Sequence, residues 1–397
     1  VTTALTDRLT AIGEDDLEAL ARGAAVLGTG GGGDPYIGRL LAAQALREHG
    51  PVPLVAPADL PEDATVFPVA MMGAPTVMVE KTPSTERIGA TVAALAEFLG
   101  VAPTHIACIE AGGVNSTFPL VAAAQLGLPV VDGDGMGRAF PELQMVLPTL
   151  SGIAATPMSI ADEKGNVGVL TTVDNHAAEA LARSLTITMG CSAIISNYVM
   201  SGAQARDSLV PGTLSLCTRI GHRLDRVRAE HGDAVAAVAD ELGGRVLHTG
   251  KVTDVARRTV TGFARGTAIV SGAAPMADPA SRSAAGDLTL EFQNEHLMAV
   301  RDGVVQVTTP DLIVVLDTDT GEPVTTEALR FGHRVTVLAA PTDERWHSPG
   351  GIALVGPRYF GYDTDPVRFD ARTLTELARS PLDTAPSGPT SASEEAP

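Results

Sequence analysis

The chain has 397 residues, 45% hydrophobic and 19% charged, which is apolar material for two cores rather than one. Its 28 basic and 47 acidic residues give a formal charge of −19 and a pI near 4.8, a field that repels a phosphate backbone and argues against nucleic acid as a partner. Cys108, Cys191 and Cys217 are odd in number and lack zinc-type spacing, so neither a disulfide framework nor a structural zinc is expected. No basic segment followed by an apolar one opens the sequence, and no apolar run reaches the ~18 residues of a membrane span. A cytoplasmic protein with no membrane partner is the expectation.

Residues 14–27 carry acids in the first turn and apolar residues at helical spacing, which predicts an amphipathic helix. It runs into Gly28-Thr29-Gly30-Gly31-Gly32-Gly33-Asp34-Pro35, and a second helical pattern covers 36–49. Gly28, Gly30 and Gly33 satisfy GxGxxG, but a dinucleotide fingerprint needs a strand before the loop, and here a helix stands there. A glycine-lined corner between helices is one reading of the loop. The other is a cradle in which Gly30, Gly31, Gly32, Gly33 and Asp34 offer N–H groups to a small anionic or carbonyl-bearing ligand.

From 51 to 150 strand and helix alternate. Strands are predicted at 66–72, 104–109 and 129–131, and helices at 85–99 and 116–126. Apolar strands bounded by helices argue an α/β domain with a mostly parallel sheet covered on both faces. Glu110-Ala111-Gly112-Gly113 and Asp132-Gly133-Asp134-Gly135 then follow the carboxyl ends of neighbouring strands and emerge on one edge, where ligand crevices of such sheets lie. Asp132 and Asp134 have a plainer alternative as caps of a helix over 137–145. Further on, 163–166 reads as a hairpin turn, and helices are expected at 174–188, from about 203, and at 213–231. Cys191, among small residues, is either a packing residue or a reactive thiol.

After Gly243-Gly244 the texture becomes Thr- and Val-rich with turns every eight to twelve residues, which predicts a smaller all-β, barrel-like domain over 244–344. Within it, strand alternation over Glu291–His296 places Glu291, Gln293 and Glu295 on one face and Asn294 and His296 on the other. Residues 350–362 predict one more strand returning to the first domain, which would span 1–243 completed by 345–378. The Pro/Ser/Ala-rich stretch 379–397 is expected to be disordered.

The motifs LGTGGGGDPYIGR, IEAGGVNS, LPVVDGDGMGRAFPELQM, MSGAQ, FQNEHLMA and PDLIVVLDTDTGEPVTTEALRFGHRVTVL together resemble the DUF917 family, over roughly residues 15–362. That family comprises S-methyl thiohydantoin desulfurases and relatives near the hydantoinases and oxoprolinases. The resemblance implies an α/β domain plus a smaller β-barrel-like domain, and a hydrolase acting on a five-membered cyclic amide or thioamide-type ring.

For an S-methyl thiohydantoin, water must add to the C=N carbon and methanethiol must leave, which calls for a base and for donors to the developing charge. Glu110 or Asp134 would be the base, with direct attack by Cys191 as the alternative. The glycine loop, Gly112, Gly113, Asn115, Asn294 and His296 would bind the ring. Arg138 would pair in bidentate fashion with a carboxylate on it. A divalent metal, zinc slightly ahead, could take Asp132, Asp134 and His296 as ligands; no nucleotide is expected. A homo-oligomer with a small-molecule substrate is the expected form. Two other classes stay open: a non-catalytic or regulatory partner of an ATP-dependent hydantoinase or oxoprolinase, and a nucleotide-binding enzyme.

Overall fold

The computed structural model describes residues 9–33, 35–73, 85–260, 263–272 and 286–369. Asp34 and the stretch 379–397 lie outside them. The chain opens with strand β1 (Ala11–Ile12) and helices α1 (Leu17–Leu27) and α2 (Pro35–His49). Then come β2 (Val52–Val55), β3 (Thr65–Gly73), α3 (Thr85–Leu99), β4 (His105–Cys108), α4 (Phe118–Leu126), β5 (Val130–Val131) and β6 (Gly133–Asp134). Helix α5 (Leu147–Leu150), the hairpin β7 (Met158–Ala161) and β8 (Val167–Leu170), α6 (Asn175–Thr188) and β9 (Ser192–Ser196) follow. The helical part closes with β10 (Met200–Ser201), α7 (Gly202–Ser208), β11 (Val210–Pro211), α8 (Thr213–Ala229) and α9 (Ala234–Leu242).

Nine of these strands form one sheet, in the order β1-β2-β5-β4-β3-β9-β7-β8 with β10 added beside β3. Its centre is parallel, β2 to β5 to β4 to β3, and its flanks are antiparallel. Side chains alternate across a strand, and the two faces bury different cores. From β3, Phe67, Val69 and Met71 enter the core that holds α1, α2, α3 and α4. Val66, Ala70 and Met72 enter the one that holds α6, α7 and Trp346. Burial on both faces explains why these strands read as unbroken apolar runs.

Strands β6 and β11 pair with each other. The later strands are β12 (Arg245–Val260), β13 (Phe263–Gly272), β14 (Asp287–Gln293), β15 (Glu295–Arg301), β16 (Val304–Thr308), β17 (Leu312–Asp317) and β18 (Arg334–Ala340). They make a second, wholly antiparallel sheet ordered β16-β15-β14-β13-β12-β18-β17, curled so that β17 returns beside β15. Ile313, Val315, Val335 and Val337 fill its interior. Leu312, Val314, Leu316 and Leu338 point the other way, into the core shared with α1, α8 and α9. One hairpin therefore belongs to both cores.

Three local expectations are corrected. Residues 350–362 are not a strand: they form α10 (Pro349–Val355) and a 3-10 turn at Pro357–Phe360, packed on the α/β core. The apolar run was ambiguous, and the start signal lies just ahead of it. The Ser348 hydroxyl accepts the Gly351 N–H, and Pro349 occupies the first helical position. No regular helix covers 137–145 either, so Asp132 and Asp134 cap nothing there. Asp132 instead accepts the Ser215 N–H at 3.1 Å and the Ser215 hydroxyl at 2.6 Å, at the start of α8. Finally, Asn294 has a φ of +57° and ends β14, so 291–296 is a hairpin and not one strand.

Helices α1 and α8 pack backbone to backbone. A Cβ on Gly23 would lie 1.9 Å from the Cys217 carbonyl oxygen, and one on Gly221 would lie 2.1 Å from that of Ala19. Alanine in a helix is normally favoured over glycine by about 1 kcal/mol. Here the sign reverses: Gly23→Ala is expected to destabilise the protein by roughly 1–3 kcal/mol through overpacking. A denaturant midpoint at or above that of the parent would refute the close contact.

Candidate functional site

The glycine loop sits between α1 and α2, helix to helix, so the strand that a dinucleotide fingerprint requires is missing. What approaches the loop are two other chain segments. The Gly31 position would put a Cβ 2.0 Å from Glu295 Oε1, and the Gly30 position would put one 2.9 Å from His296 Nε2. A Cβ on Gly113 would meet the Gly32 carbonyl oxygen at 2.1 Å. Backbone bonds close these seams: Val114 N–H to Gly32 O, His296 N–H to Thr29 O and Thr326 N–H to Gly30 O, at 2.8–2.9 Å. The glycines thus let the 110–113 turn and the 294–296 hairpin meet.

Where they meet lies a cleft that opens to solvent. Ala70, Met71, Met72, Ile109, Val114, Phe140 and Ile195 supply apolar lining, while Glu110, Asn115, Glu295, Asn197 and Arg183 supply the polar groups. Of the residues put forward from the sequence, Glu110, Asn115, Gly32 and Asn294 line it. Gly30–Gly33 also line a smaller pocket with Thr325 and Thr326.

Glu110 is held from behind. The Cys108 thiol donates to the carbonyl oxygens of Glu110 (2.7 Å) and Asn115 (3.1 Å), and the Ala111 N–H donates to Asp134 at 2.9 Å. Asn115 accepts the Met71 N–H at 2.7 Å and donates to Glu110 Oε2 at 3.2 Å. Glu110 Oε1 has no hydrogen-bond partner among the described residues, and neither does Glu295 Oε2. Burial pushes the Glu110 carboxyl well above the usual range, and the nearby Glu295 carboxyl adds to this. Burial likewise raises Glu295 to about 8, against the pull of Arg138 and the Gly32 N–H. Glu110 therefore titrates under both burial and the charge of Glu295.

The other expected site residues lie elsewhere. Arg138 is fully buried, and its five N–H donors are all spent: Nε on Ala139 O, one terminal nitrogen on Pro310 O and Asp311 O, the other on Thr29 Oγ1 and His296 O. It has no donor left for a substrate carboxylate. Asp134 does not line the cleft; it gathers the N–H groups of Ala111 and Gly137, and burial raises it to about 6. Gly112 packs against Gly28 and Ala139. Cys191, half-buried at φ +69°, abuts Gly73 before β9 and is not among the cleft-lining residues. His296 is buried and kept neutral, its pKa lowered to about 3 by burial and by the charge of Arg138; neither ring nitrogen has a partner among the described residues.

Asp132, Asp134 and His296 do not converge as a ligand set. Among the described residues no group of three or more His, Cys, Asp or Glu is placed to hold a metal ion.

The match to known families now has a geometry to explain. Residues 15–172 match the S-Me-THD-like N-terminal domain and residues 173–369 the S-Me-THD-like C-terminal domain. The chain belongs to the S-Me-THD-like family. The boundary between the two matched regions falls inside the large sheet, because β9 from the second pairs with β3 and β7 from the first. No curated protein matches the chain. Among solved structures, a protein from Chromobacterium violaceum is similar in fold, with a TM-score of 0.74 and 24% identity over 91% of this chain and all of that one. No helix among the described residues is long and apolar enough to cross a membrane.

Sequence reasoning missed Glu295, Asn197 and Arg183. Glu295 was assigned to the face away from His296, and the left-handed Asn294 redirects it; Asn is the side chain that tolerates that φ best after glycine. Glu295 also makes a prediction. Its pKa of about 8 in the folded protein lies above the ordinary glutamate value of 4.5, so the folded state holds the proton more tightly. That contribution to stability is full below pH 4.5 and is lost as the pH rises to about 8. Glu295→Gln should remove the loss. Thermal midpoints of parent and variant from pH 5 to 9 are expected to diverge, the parent falling further; parallel curves would contradict the assignment.

Proposed function

We propose that this S-Me-THD-like protein is a hydrolase of a small five-membered ring, most concretely one converting an S-methyl thiohydantoin to the hydantoin and methanethiol. One observation carries the reading: Glu110 Oε1 is a buried, unpartnered carboxylate oxygen at the cleft, beside a second buried acid. Asn115 ties the other oxygen, which leaves Oε1 as the atom able to take a proton from water.

In this mechanism Glu110 removes one proton as the water oxygen bonds to the ring C=N carbon that carries the S-methyl group. Glu295, protonated at neutral pH, gives its proton to the ring nitrogen that shares the C=N bond. The tetrahedral centre then collapses with cleavage of the C–S bond: its hydroxyl proton passes to Glu295, which restores that acid, and the departing thiolate takes the proton held by Glu110. Water has thus supplied the new carbonyl oxygen, one proton to nitrogen by way of Glu295 and one to sulfur by way of Glu110. A thiol is a good enough leaving group to need little further acid assistance. This mechanism gives Cys191 no part; it is not among the described residues that line the cleft. A carboxylate arm on the ring would face Arg183, whose guanidinium lies 4.3 Å over the Phe263 ring and pairs with Glu179.

Methanethiol release from S-methyl thiohydantoins tests this directly. Glu110→Gln is expected to lower the rate by about 100- to 10,000-fold, the span of general-base contributions, with its thermal midpoint kept. Rate against pH should be bell-shaped. The acid limb marks protonation of the whole pair, and the alkaline limb near pH 8 marks loss of the Glu295 proton. Full activity in Glu110→Gln would remove that residue from the chemistry, and no release from any such ring would remove the reading.

A further inference from the structure

Beyond the acid pair, one polar group at the cleft is unexplained by folding. Asn197 follows β9, its N–H reaching Pro68 O at 3.4 Å, and it lines the cleft next to Ala70 and Ile195. The residue is 1% exposed. Both Oδ1 and Nδ2 lack a hydrogen-bond partner among the described residues. A buried carboxamide with neither end satisfied is rare, because the desolvated donor and acceptor are costly to leave unmade. The neighbours Ser196 and Tyr198 show the contrast: Ser196 donates to Pro68 O at 2.9 Å, and the Tyr198 hydroxyl bonds Thr149 at 2.8 Å.

We infer that Asn197 is the residue that recognises the substrate, by pairing with a cis-amide edge of the ring. A carboxamide presents an acceptor and a donor side by side. The complement is a ring N–H adjacent to a ring carbonyl: Oδ1 accepts the N–H and Nδ2 donates to the carbonyl oxygen. The inference rests on the ring-hydrolase reading and narrows it. The substrate class is rings whose nitrogen between the S-methyl carbon and the carbonyl is unsubstituted. Holding the proton on that nitrogen also fixes the C=N bond to the other ring nitrogen, so one tautomer is presented to Glu110 and Glu295. Asn197 is thus a positioning and specificity residue, and proton transfer stays with the acids.

Three product rings separate the outcomes in a calorimetric titration of the full chain: hydantoin, hydantoin methylated on the nitrogen between its two carbonyls, and hydantoin methylated on the other nitrogen. The parent protein is expected to bind the first and third alike and the second at least about 100-fold more weakly, as sites built around a hydrogen bond reject analogues lacking it. Asn197→Leu, similar in size and without the two unpaired atoms, is expected to keep or raise the thermal midpoint while binding hydantoin at least about 100-fold more weakly. Asn197→Asp, which keeps only acceptors, should lose the same preference if the leucine variant fails to fold. Equal binding of the two methylated rings by the parent, or unchanged discrimination in either variant, would overturn the role of Asn197 and leave the hydrolase reading standing. Absence of binding by all three rings would overturn the ring reading itself.

Discussion

The arrangement depends on Arg138. It is a fully buried guanidinium, and four of its five donors reach the glycine loop at Thr29, the acid-bearing hairpin at His296 and the β16–β17 corner at Pro310 and Asp311. Its planar fork suits such fixed multi-point bonding better than a lysine would. Its own ring contact, 4.7 Å over Phe140, ties it to the cleft wall. Desolvation lowers the guanidinium to about 10, and the charges of Glu295, Asp311 and Glu110 oppose that shift, so it stays cationic at neutral pH. One buried cation thereby fixes the two domains against each other and supplies the field in which the cleft acids titrate.

That field works on two carboxyls that folding has pushed together. Glu110 comes from the α/β sheet, at the carboxyl end of a central parallel strand, where such folds place ligands. Glu295 comes from the β-domain. Neither domain alone contains the pair, which explains why so much of the sequence is spent on the seam. Gly30, Gly31, Gly32 and Gly113 stand where any side chain would force the segments apart. The loop is less a cradle of free N–H groups than a hinge-free joint; Gly31 donates inward to Gly28 O at 2.8 Å, and Gly32 donates to Glu295.

Much of this was legible before any coordinates. The alternation of apolar strands and helices, the helix ahead of the glycine loop, the two acid-glycine turns on one sheet edge and the change of texture after Gly244 each rest on local pattern. What the sequence hid were long-range meetings. Nothing near Arg138 says that Thr29, His296 and Asp311 will gather round it, so it looked like a binding arginine. Asn294 turned a predicted strand into a hairpin through a single left-handed residue, and that one φ moved Glu295 into the site.

The two kinds of unpaired atom in the cleft are also different in origin. Glu110 Oε1 and Glu295 Oε2 belong to ionisable groups, and burial raises both carboxyls so that the neutral form eases the cost of leaving those oxygens unpaired. The Asn197 amide is neutral and gains nothing from a neighbouring acid. Among the described residues neither of its ends is satisfied, and it lines the cleft, where something that offers a donor and an acceptor together can satisfy both. Water can do so, but a flat ring does so with a fixed spacing, and on the proposed reading it brings the electrophilic carbon to the acids in the same step. On the proposed reading, recognition of the ring falls to Asn197 and activation of water to the two acids, separate residues that meet in one cleft.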